Sequence, residues 1–508
     1  MKYLIILSLI IGLSCSERTL LEDYVFDDND ISVVKHEILS STVNQGYTLH
    51  KLNLTSLKWF NELLTNRPIW WHHVYVSVPD NLDSTRPIFY YIDDGRNNET
   101  ESPSETAKLL SEFSTKCKCI TVIQRQIPNQ PIIFTADPKS KLRIEDDIIA
   151  STFGLFFFNR TLFPNNTYNN VPLLFPMTKA VKRGFDETVK FLKSKNVNFT
   201  EKFVVSGASK RGWTSWLITA VDQRVIATMP IVFDLLNWQK NLHIQFKSLG
   251  GGYTYATYDY FLVGLTAKLD TKEIREILKL VDPLFYLEKY SGRKFLLFSA
   301  TEDQFFLPEN TKAWWQDLSI QTNNQIYIKR LANVDHYLNQ QSKLQIVSDI
   351  KVFMDLMHKE TSSTRTLPIL KWYFENNILF GATRIKLSNL GEFDSYTVTS
   401  YSAKTKDKTK IDFRVNYLLD KSFVDSNISW IEAPLIQSKK SDLAAVNEHV
   451  YRKLRILSIF NYVGFYLDVN LKLKDSNETL SISTDLNIIP EYYPIGDCYN
   501  EECLGKLV

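Results

Sequence analysis

The sequence predicts a large α/β domain built on a mostly parallel sheet, followed by a smaller antiparallel β-sandwich of immunoglobulin-like type. Residues 17 to about 360 alternate short β-branched or aromatic runs with longer stretches whose apolar residues recur at three and four. From about Thr366 the pattern changes to period-two strands separated by turn residues. A chain of 508 residues also exceeds a single core, which stops growing at roughly 250 to 300 residues.

The opening MKYLIILSLIIGLSCS places Lys2 before an apolar stretch from Leu4 to Leu13, with Ser14 and Ser16 at the minus-three and minus-one positions of a cut. This predicts a secretory signal peptide over residues 1–16, too short to span a bilayer. Candidate strands follow at 70–78 (WWHHVYVSV), 87–92, 119–124, 202–207, 225–233, 294–300 and 326–331. Between them SETAKLLSEFS and MTKAVKRGFDETVKFLKSK have the spacing of amphipathic helices. Strands alternating with helices imply crossover connections, so residues 17–360 are expected to form a parallel sheet covered by helices. An interval at about 234–285, carrying SLGGGYTYATYDY, is long enough for a cap. The polar ETSSTRTLP marks the boundary, and the sandwich over 366–508 holds YTVTSYSA, IDFRVNYLL, GFYLDVNLKL and TLSISTDLNII.

The formal net charge of +2 provides no field for nucleic acid or an anionic membrane. The Lys- and Asp-rich stretch 404–412 reads as a solvated hairpin. No later apolar run approaches the length of a membrane span, so no membrane insertion of the mature chain is expected, and the closing GKLV is neither a retention signal nor a lipid-anchor signal. Asn-x-Ser/Thr acceptors at Asn53, Asn98, Asn159, Asn165, Asn198, Asn427 and Asn477 fit a secreted, extracellular glycoprotein. With Cys15 inside the signal, Cys117, Cys119, Cys498 and Cys503 remain as disulfide candidates. Three pairings are open. Closure of Cys498 with Cys503 is favoured, a bridge from either to Cys117 or Cys119 is the alternative, and a four-cysteine metal site is disfavoured because no histidine is near in sequence. No metal and no cofactor are expected.

GASKRGW at 207–213 follows the apolar Phe203, Val204 and Val205 and opens a helical stretch. A nucleophilic serine needs exposure, a base and backbone donors for an oxyanion, and a strand-to-helix elbow between small residues supplies them. Here Gly207 and Ala208 precede Ser209 and Gly212 follows at plus three, where the usual elbow has glycine at plus two and this chain has Arg211. The alternative is that Ser209 merely caps a helix. Beyond later strands lie Asp303, preferred to Glu302 by its place in the turn, and His336, the one downstream histidine after a strand and loop. Ser209, Asp303 and His336 are the candidate catalytic residues, with the Lys210 backbone N–H as oxyanion donor.

The blocks IPNQPIIF (127–134), RIEDDIIA (143–150), PMTKAVKRGFD (176–186), GASKRGWTSWLITAVDQRVIATMPIVFDLLNW (207–238), DPLFYL (282–287) and TEDQFFLPEN (301–310) resemble the PhoPQ-activated pathogenicity-related family, which includes a secreted repressor of proliferation in social amoebae. The likeness runs from EDYVFDDND (22–30) to TDLNIIPEYYP (484–494). It implies an α/β-hydrolase-like domain with Ser209, Asp303 and His336 in the triad positions, and makes SKRGW the family's own form of the elbow. This chain departs from the family at Asp93-Asp94-Gly95-Arg96-Asn97, where a glycine-rich turn is usual. Two carboxylates there oppose an oxyanion unless Arg96 or a metal neutralises them. The acidic Glu145, Asp146 and Asp147 are expected to hold Lys179 and Arg183, and Trp70, Trp71, Trp213, Trp216, Trp314 and Trp315 to fill core and cap. Two functions follow as expectations: a secreted serine hydrolase acting on an ester or small peptide, and an autocrine signal that represses proliferation, and repels cells, through a cell-surface receptor. A purely adhesive extracellular protein is the third.

Overall fold

The computed structural model describes residues 18–98, 104–135, 137–163, 167–361, 363–377, 380–437, 447–451 and 460–508. The signal segment 1–16 and Asn165 lie outside them. The central sheet has nine strands in the order β1-β2-β3-β5-β4-β6-β7-β9-β10. In chain order these are β1 (Lys35–Asn44), β2 (Tyr47–Lys58), β3 (Ile69–Pro79), β4 (Ile88–Ile92), β5 (Thr121–Gln124), β6 (Phe203–Ala208), β7 (Val225–Ile231), the separate short β8 (Gly252–Tyr253), β9 (Lys294–Ala300) and β10 (Ile326–Leu331). From β5 across to β10 all pairings are parallel, whereas β1, β2 and β3 form an antiparallel edge. The sequence gives no strand at 35–58, because β1 (KHEILSSTVN) is exposed along almost its whole length and so lacks the apolar alternation that marks a half-buried strand.

Among the described residues ten α-helices accompany the sheet: α1 (Leu20–Phe26), α2 (Glu105–Cys117), α3 (Asp146–Phe158), α4 (Leu174–Ser194), α5 (Lys210–Val221), α6 (Trp238–Ser248), α7 (Tyr258–Leu262), α8 (Lys272–Val281), α9 (Trp315–Gln321) and α10 (Gln340–Lys359). Apolar residues of α3, α4 and α5, among them Phe153, Phe185 and Trp216, form one large cluster. Phe113 of α2 and Ile350 and Phe353 of α10 form the second. Helices α6, α7 and α8 and strand β8 make up the insertion between β7 and β9. The fold is α/β-hydrolase-like: a run of parallel strands joined through helices, with an antiparallel edge.

The second part is antiparallel. Strands β11 (Ile369–Asn376), β12 (Gly381–Ser388), β13 (Phe393–Lys404), β14 (Asn416–Leu419), β15 (Ser422–Asp425), β16 (Ile431–Gln437), β17 (Asn447–Tyr451), β18 (Val463–Leu473), β19 (Thr479–Ser483), β20 (Asn487–Ile489) and β21 (Lys506–Leu507) follow. They build a three-stranded sheet β11-β12-β17, a five-stranded sheet around β13 and β18, and the β14–β15 hairpin. Inward residues Leu387, Val398, Leu467 and Val469 belong to the same apolar cluster as α2 and α10. Charged groups cross the same seam. Arg330 of β10, fully buried, donates to Asp485 Oδ1 at 2.7 Å, to the Thr484 carbonyl at 3.1 Å and to the Pro308 carbonyl at 2.6 Å. Lys329 pairs with Asp468, and the Ser481 amide donates to Asp349 Oδ1 at 3.0 Å.

Trp70, Trp213, Trp216 and Trp314 are buried, while Trp71 and Trp315 are half-buried. Cys117 is joined to Cys119 and Cys498 to Cys503. No helix among the described residues is long and apolar enough to cross a membrane. Of the glycan acceptors, Asn98, Asn159, Asn198, Asn427 and Asn477 are exposed, whereas Asn53 is half-buried within β2.

Candidate active site

Strand β6 ends at Ala208 and α5 begins at Lys210, so one residue, Ser209, makes the whole turn. Its backbone sits at φ 56°, ψ −127°, a region costly for a side-chain-bearing residue. Its amide donates to the Ile231 carbonyl at 2.9 Å and its own carbonyl accepts from Trp213 N at 3.1 Å. The tightness explains both glycines. A Cβ on Gly207 would stand 2.7 Å from the Arg211 carbonyl oxygen, and one on Gly212 would stand 3.0 Å from Phe233 Cβ and 3.1 Å from the Gly207 carbonyl oxygen. Glycine at plus three therefore does the spatial work here, and Arg211 is free to do something else.

Asp303 lies just beyond β9 and His336 just beyond β10, on the loops where parallel strands present their carboxyl ends. His336 Nε2 is 3.0 Å from Ser209 Oγ, and His336 Nδ1 is 3.0 and 2.9 Å from the two oxygens of Asp303. Asp303 is 1% exposed, and the amides of Phe305 and Phe306 donate to its Oδ1 at 2.7 and 3.0 Å. The imidazole is further held by the Phe305 ring, whose centroid is 4.4 Å away, and the His336 amide donates to Gln304 Oε1 at 3.1 Å. Glu302 does not contact the imidazole through a hydrogen bond. Burial, reinforced by Asp335, raises its carboxyl to about 7. His243 and His358 pair with Asp270 and Asp83 respectively, away from Ser209, and the His449 side chain lies outside the described residues.

The two cations after Ser209 have a common anchor. Arg211 makes a bidentate pair with Glu145, Nη1 to Oε2 at 2.8 Å and Nη2 to Oε1 at 2.7 Å, while its Nε donates to the Ile127 carbonyl at 2.6 Å. Lys210 Nζ lies 2.6 Å from Glu145 Oε2 and 2.9 Å from Asp146 Oδ2. Burial works against charge on Glu145, but Arg211 and Lys210 outweigh it and hold the carboxyl well below its usual range. The acidic cluster is thus structural, as expected, but its partners differ. Lys179 and Arg183 pair instead with Asp30 and Asp28, at 2.9 and 2.7 Å. Lys210 and Arg211 escape sequence reasoning as partners because Glu145 is 66 positions from Arg211. The available signal was two cations opening a buried helix, which need counter-charges.

The Asp93–Asp94 turn divides. Asp93 is buried and Asp94 exposed, so the two carboxylates are not equivalent. Burial, then Asp94, pushes the Asp93 carboxyl up to about 7, against the pull of Arg125 and Arg211. Arg125 Nε is 3.4 Å from Asp93 Oδ2, whereas Arg96 is exposed. The compensating cations are therefore Arg125 and Arg211 rather than Arg96. The Asp93 amide is engaged by the Gln124 carbonyl at 2.9 Å. As the first residue of α5, Lys210 has an amide with no intrahelical acceptor.

Ser209 and His336 open onto a cleft of about 470 Å³ lined by Asp94, Thr106, Tyr337, Lys343 and Val347. On the other side of Ser209 is a narrow pocket of about 40 Å³ under the insertion, walled by Trp213, Phe233, Trp238 and Tyr260. A larger chamber and a small aromatic slot meeting at one hydroxyl suit a compact substrate with an apolar group.

Solved structures that resemble the chain do so at low identity. One is acetyl xylan esterase 1 from Thermoanaerobacterium sp. JW/SL YS485, 15% identical over 64% of this chain and 91% of that one, with a TM-score of 0.42. Another is an acetyl xylan esterase from Paenibacillus sp. R4, 9% identical over 67% and 95%, with a TM-score of 0.43. Autocrine proliferation repressor protein A of Dictyostelium discoideum is 30% identical over 99% of this chain and 97% of its own length. Residues 21–414 match the PhoPQ-activated pathogenicity-related protein family, to which this chain belongs.

Proposed function

We propose that the protein is a secreted serine hydrolase that cleaves an ester or small peptide by acyl transfer, with Ser209 as nucleophile, His336 as base and Asp303 as the group that orients it. The supporting observation is the unbroken hydrogen-bond chain from Ser209 Oγ through both nitrogens of His336 to Asp303, at 3.0 and 2.9 Å, at a cleft floor. The Oγ proton passes to Nε2 as oxygen attacks the carbonyl carbon. Asp303, fixed by two amides, stabilises the imidazolium, which then protonates the leaving group; water repeats the sequence on the acyl-enzyme. The Lys210 amide would receive the oxyanion. Protonation of Asp93, favoured by its burial, removes a charge that would oppose this step. The five exposed glycan acceptors and two disulfides support an extracellular setting.

The test is a fluorophosphonate probe applied to the secreted protein, with the labelled peptide mapped by mass spectrometry. Labelling at Ser209 that is lost in Ser209→Ala and His336→Ala is the expected outcome, and a folded protein that stays unlabelled refutes catalysis. The full-length likeness to an autocrine repressor favours a second role, an extracellular signal read by a cell-surface receptor. If the two roles are one, Ser209→Ala protein abolishes the effect on proliferation; full retention separates them.

A further inference from the structure

Residues 498–508 lie against the insertion that covers the site. Strand β21 pairs in parallel with β8, Tyr253 Oη donates to the Cys503 carbonyl at 2.8 Å, and Thr266 Oγ1 donates to the Leu504 carbonyl at 3.1 Å. This packing sets the Cys498–Cys503 pair beside His243 of α6. His243 Nδ1 is 3.6 Å from Cys498 Sγ and 4.0 Å from Cys503 Sγ. His243 Nε2 is 2.9 Å from Asp270 Oδ1, and Asp270 Oδ2 is 3.9 Å from Cys503 Sγ. Asp270 is itself held by Gln239 Nε2 at 3.1 Å and the Asn500 amide at 3.1 Å.

With the proton of a neutral imidazole placed on Nε2 by the carboxylate, Nδ1 is an acceptor. It faces two sulfurs that, joined to one another, have no proton to give. The nitrogen and both sulfurs lie within 4.8 Å of one another. A carboxylate that fixes one histidine nitrogen while the other points at paired cysteine sulfurs is the outer-shell arrangement of zinc centres. A disulfide needs none of it: among the described residues the polar neighbours of the Cys117–Cys119 sulfurs are backbone carbonyls, those of Ser114 and Cys119.

We propose that Cys498, Cys503 and His243 form a redox-gated zinc site, with Asp270 positioning His243. A dithiol reductant delivers two electrons and two protons to the Cys498–Cys503 bond and leaves as its own disulfide. The two thiols then release their protons to water as their thiolates bind one Zn²⁺ together with His243 Nδ1, and a water fills the fourth position. Zinc and disulfide are thus alternative clamps on the same segment, so the insertion stays fastened under either redox condition.

The test uses the full-length protein reduced anaerobically with a phosphine, which leaves no competing dithiol, and Co²⁺ as an optical probe displaced by Zn²⁺. Expected are one Co²⁺ per chain with tetrahedral thiolate bands, and none in the oxidised protein. A Cys117→Ser/Cys119→Ser variant keeps the bands and a Cys498→Ser/Cys503→Ser variant loses them. Asp270→Asn retains the tetrahedral spectrum with affinity lowered about 10- to 100-fold. His243→Ala and the longer His243→Gln, both checked for native near-UV circular dichroism, lose at least as much. No thiolate bands in the reduced protein, bands that follow Cys117 and Cys119, or bands indifferent to both His243 variants each overturn the proposal.

Discussion

Replacing Glu145 with glutamine isolates what holds the nucleophile turn in shape. The change keeps the outline of the side chain and one acceptor for Arg211, but removes the charge shared by two buried cations. Lys210 keeps Asp146 at 2.9 Å, while Arg211, 6% exposed, loses its only bidentate partner among the described residues. Orphaning one member of a buried ion pair costs roughly 3–5 kcal/mol. The Glu145 side chain is 32% exposed, so water recovers part of that, leaving about 2–3 kcal/mol. At about 2 °C per kcal/mol for a chain of this size, the melting temperature falls by roughly 5 °C. Because Ser209 and Lys210 precede Arg211 directly, a shift of the turn by about 1 Å slows fluorophosphonate labelling by up to about 100-fold. Calorimetry and the labelling rate read the two effects, and a Glu145→Met/Arg211→Met double variant should recover much of the stability without recovering the rate. An Glu145→Gln protein that melts within about 1 °C of the parent and labels at the parent rate would refute the anchoring role.

Three further outcomes are expected. Gly207→Ala drives a Cβ to 2.7 Å from the Arg211 carbonyl oxygen, so it should cost roughly 2–3 kcal/mol and abolish labelling, measured by thermal unfolding and the probe. Asp303→Asn should leave stability near parental yet lower kcat by about 10⁴-fold, because the imidazole loses the partner that sets its tautomer; a loss below tenfold removes Asp303 from the mechanism. Stability should fall as pH rises from 5.5 to 8. Burial raises the carboxyls of Asp234 and Asp349 to about 7 and that of Asp282 to about 6, from 3.8, so their contribution is complete below about pH 4 and is lost as pH climbs through 6 and 7. Burial lowers His72 to about 4 and also lowers His50, and these two oppose the trend, while Asp93 and Glu302, both raised to about 7, reinforce it, so a melting temperature that is higher at pH 8 than at 5.5 contradicts this balance.

The parallel strands were legible in the sequence because buried strands read as short runs rich in apolar and aromatic residues: KFLLFSA is β9 and IYIKRL is β10, each at its predicted bounds even though Lys329 and Arg330 interrupt the second. The edge strand β1 was not, since an exposed edge is free to be polar, and β2, although it buries Leu52, Leu54 and Leu57, went unread beside it. Within the site, Ser209, Asp303 and His336 could be picked out because the loops after strands of a parallel sheet converge at one end whatever their separation along the chain. Glu145 could not be assigned to Arg211 by the same logic. Its position just ahead of α3 depends on how that helix packs, which the spacing of charges along the chain does not encode. The sequence likewise places no histidine near Cys498, and only the return of residues 498–508 to the insertion brings His243 there.

On the proposed hydrolase mechanism, the seam between the two parts of the molecule limits how substrate reaches Ser209. Arg330, Lys329 and Asp349 sit on β10 and α10, and α10 also supplies Lys343 and Val347 to the cleft wall. Hinging the second part away would strip counter-charges from side chains that are largely buried. In the proposed mechanism substrate therefore enters at the cleft, beside Tyr337 and Leu338, rather than by separation of the two parts.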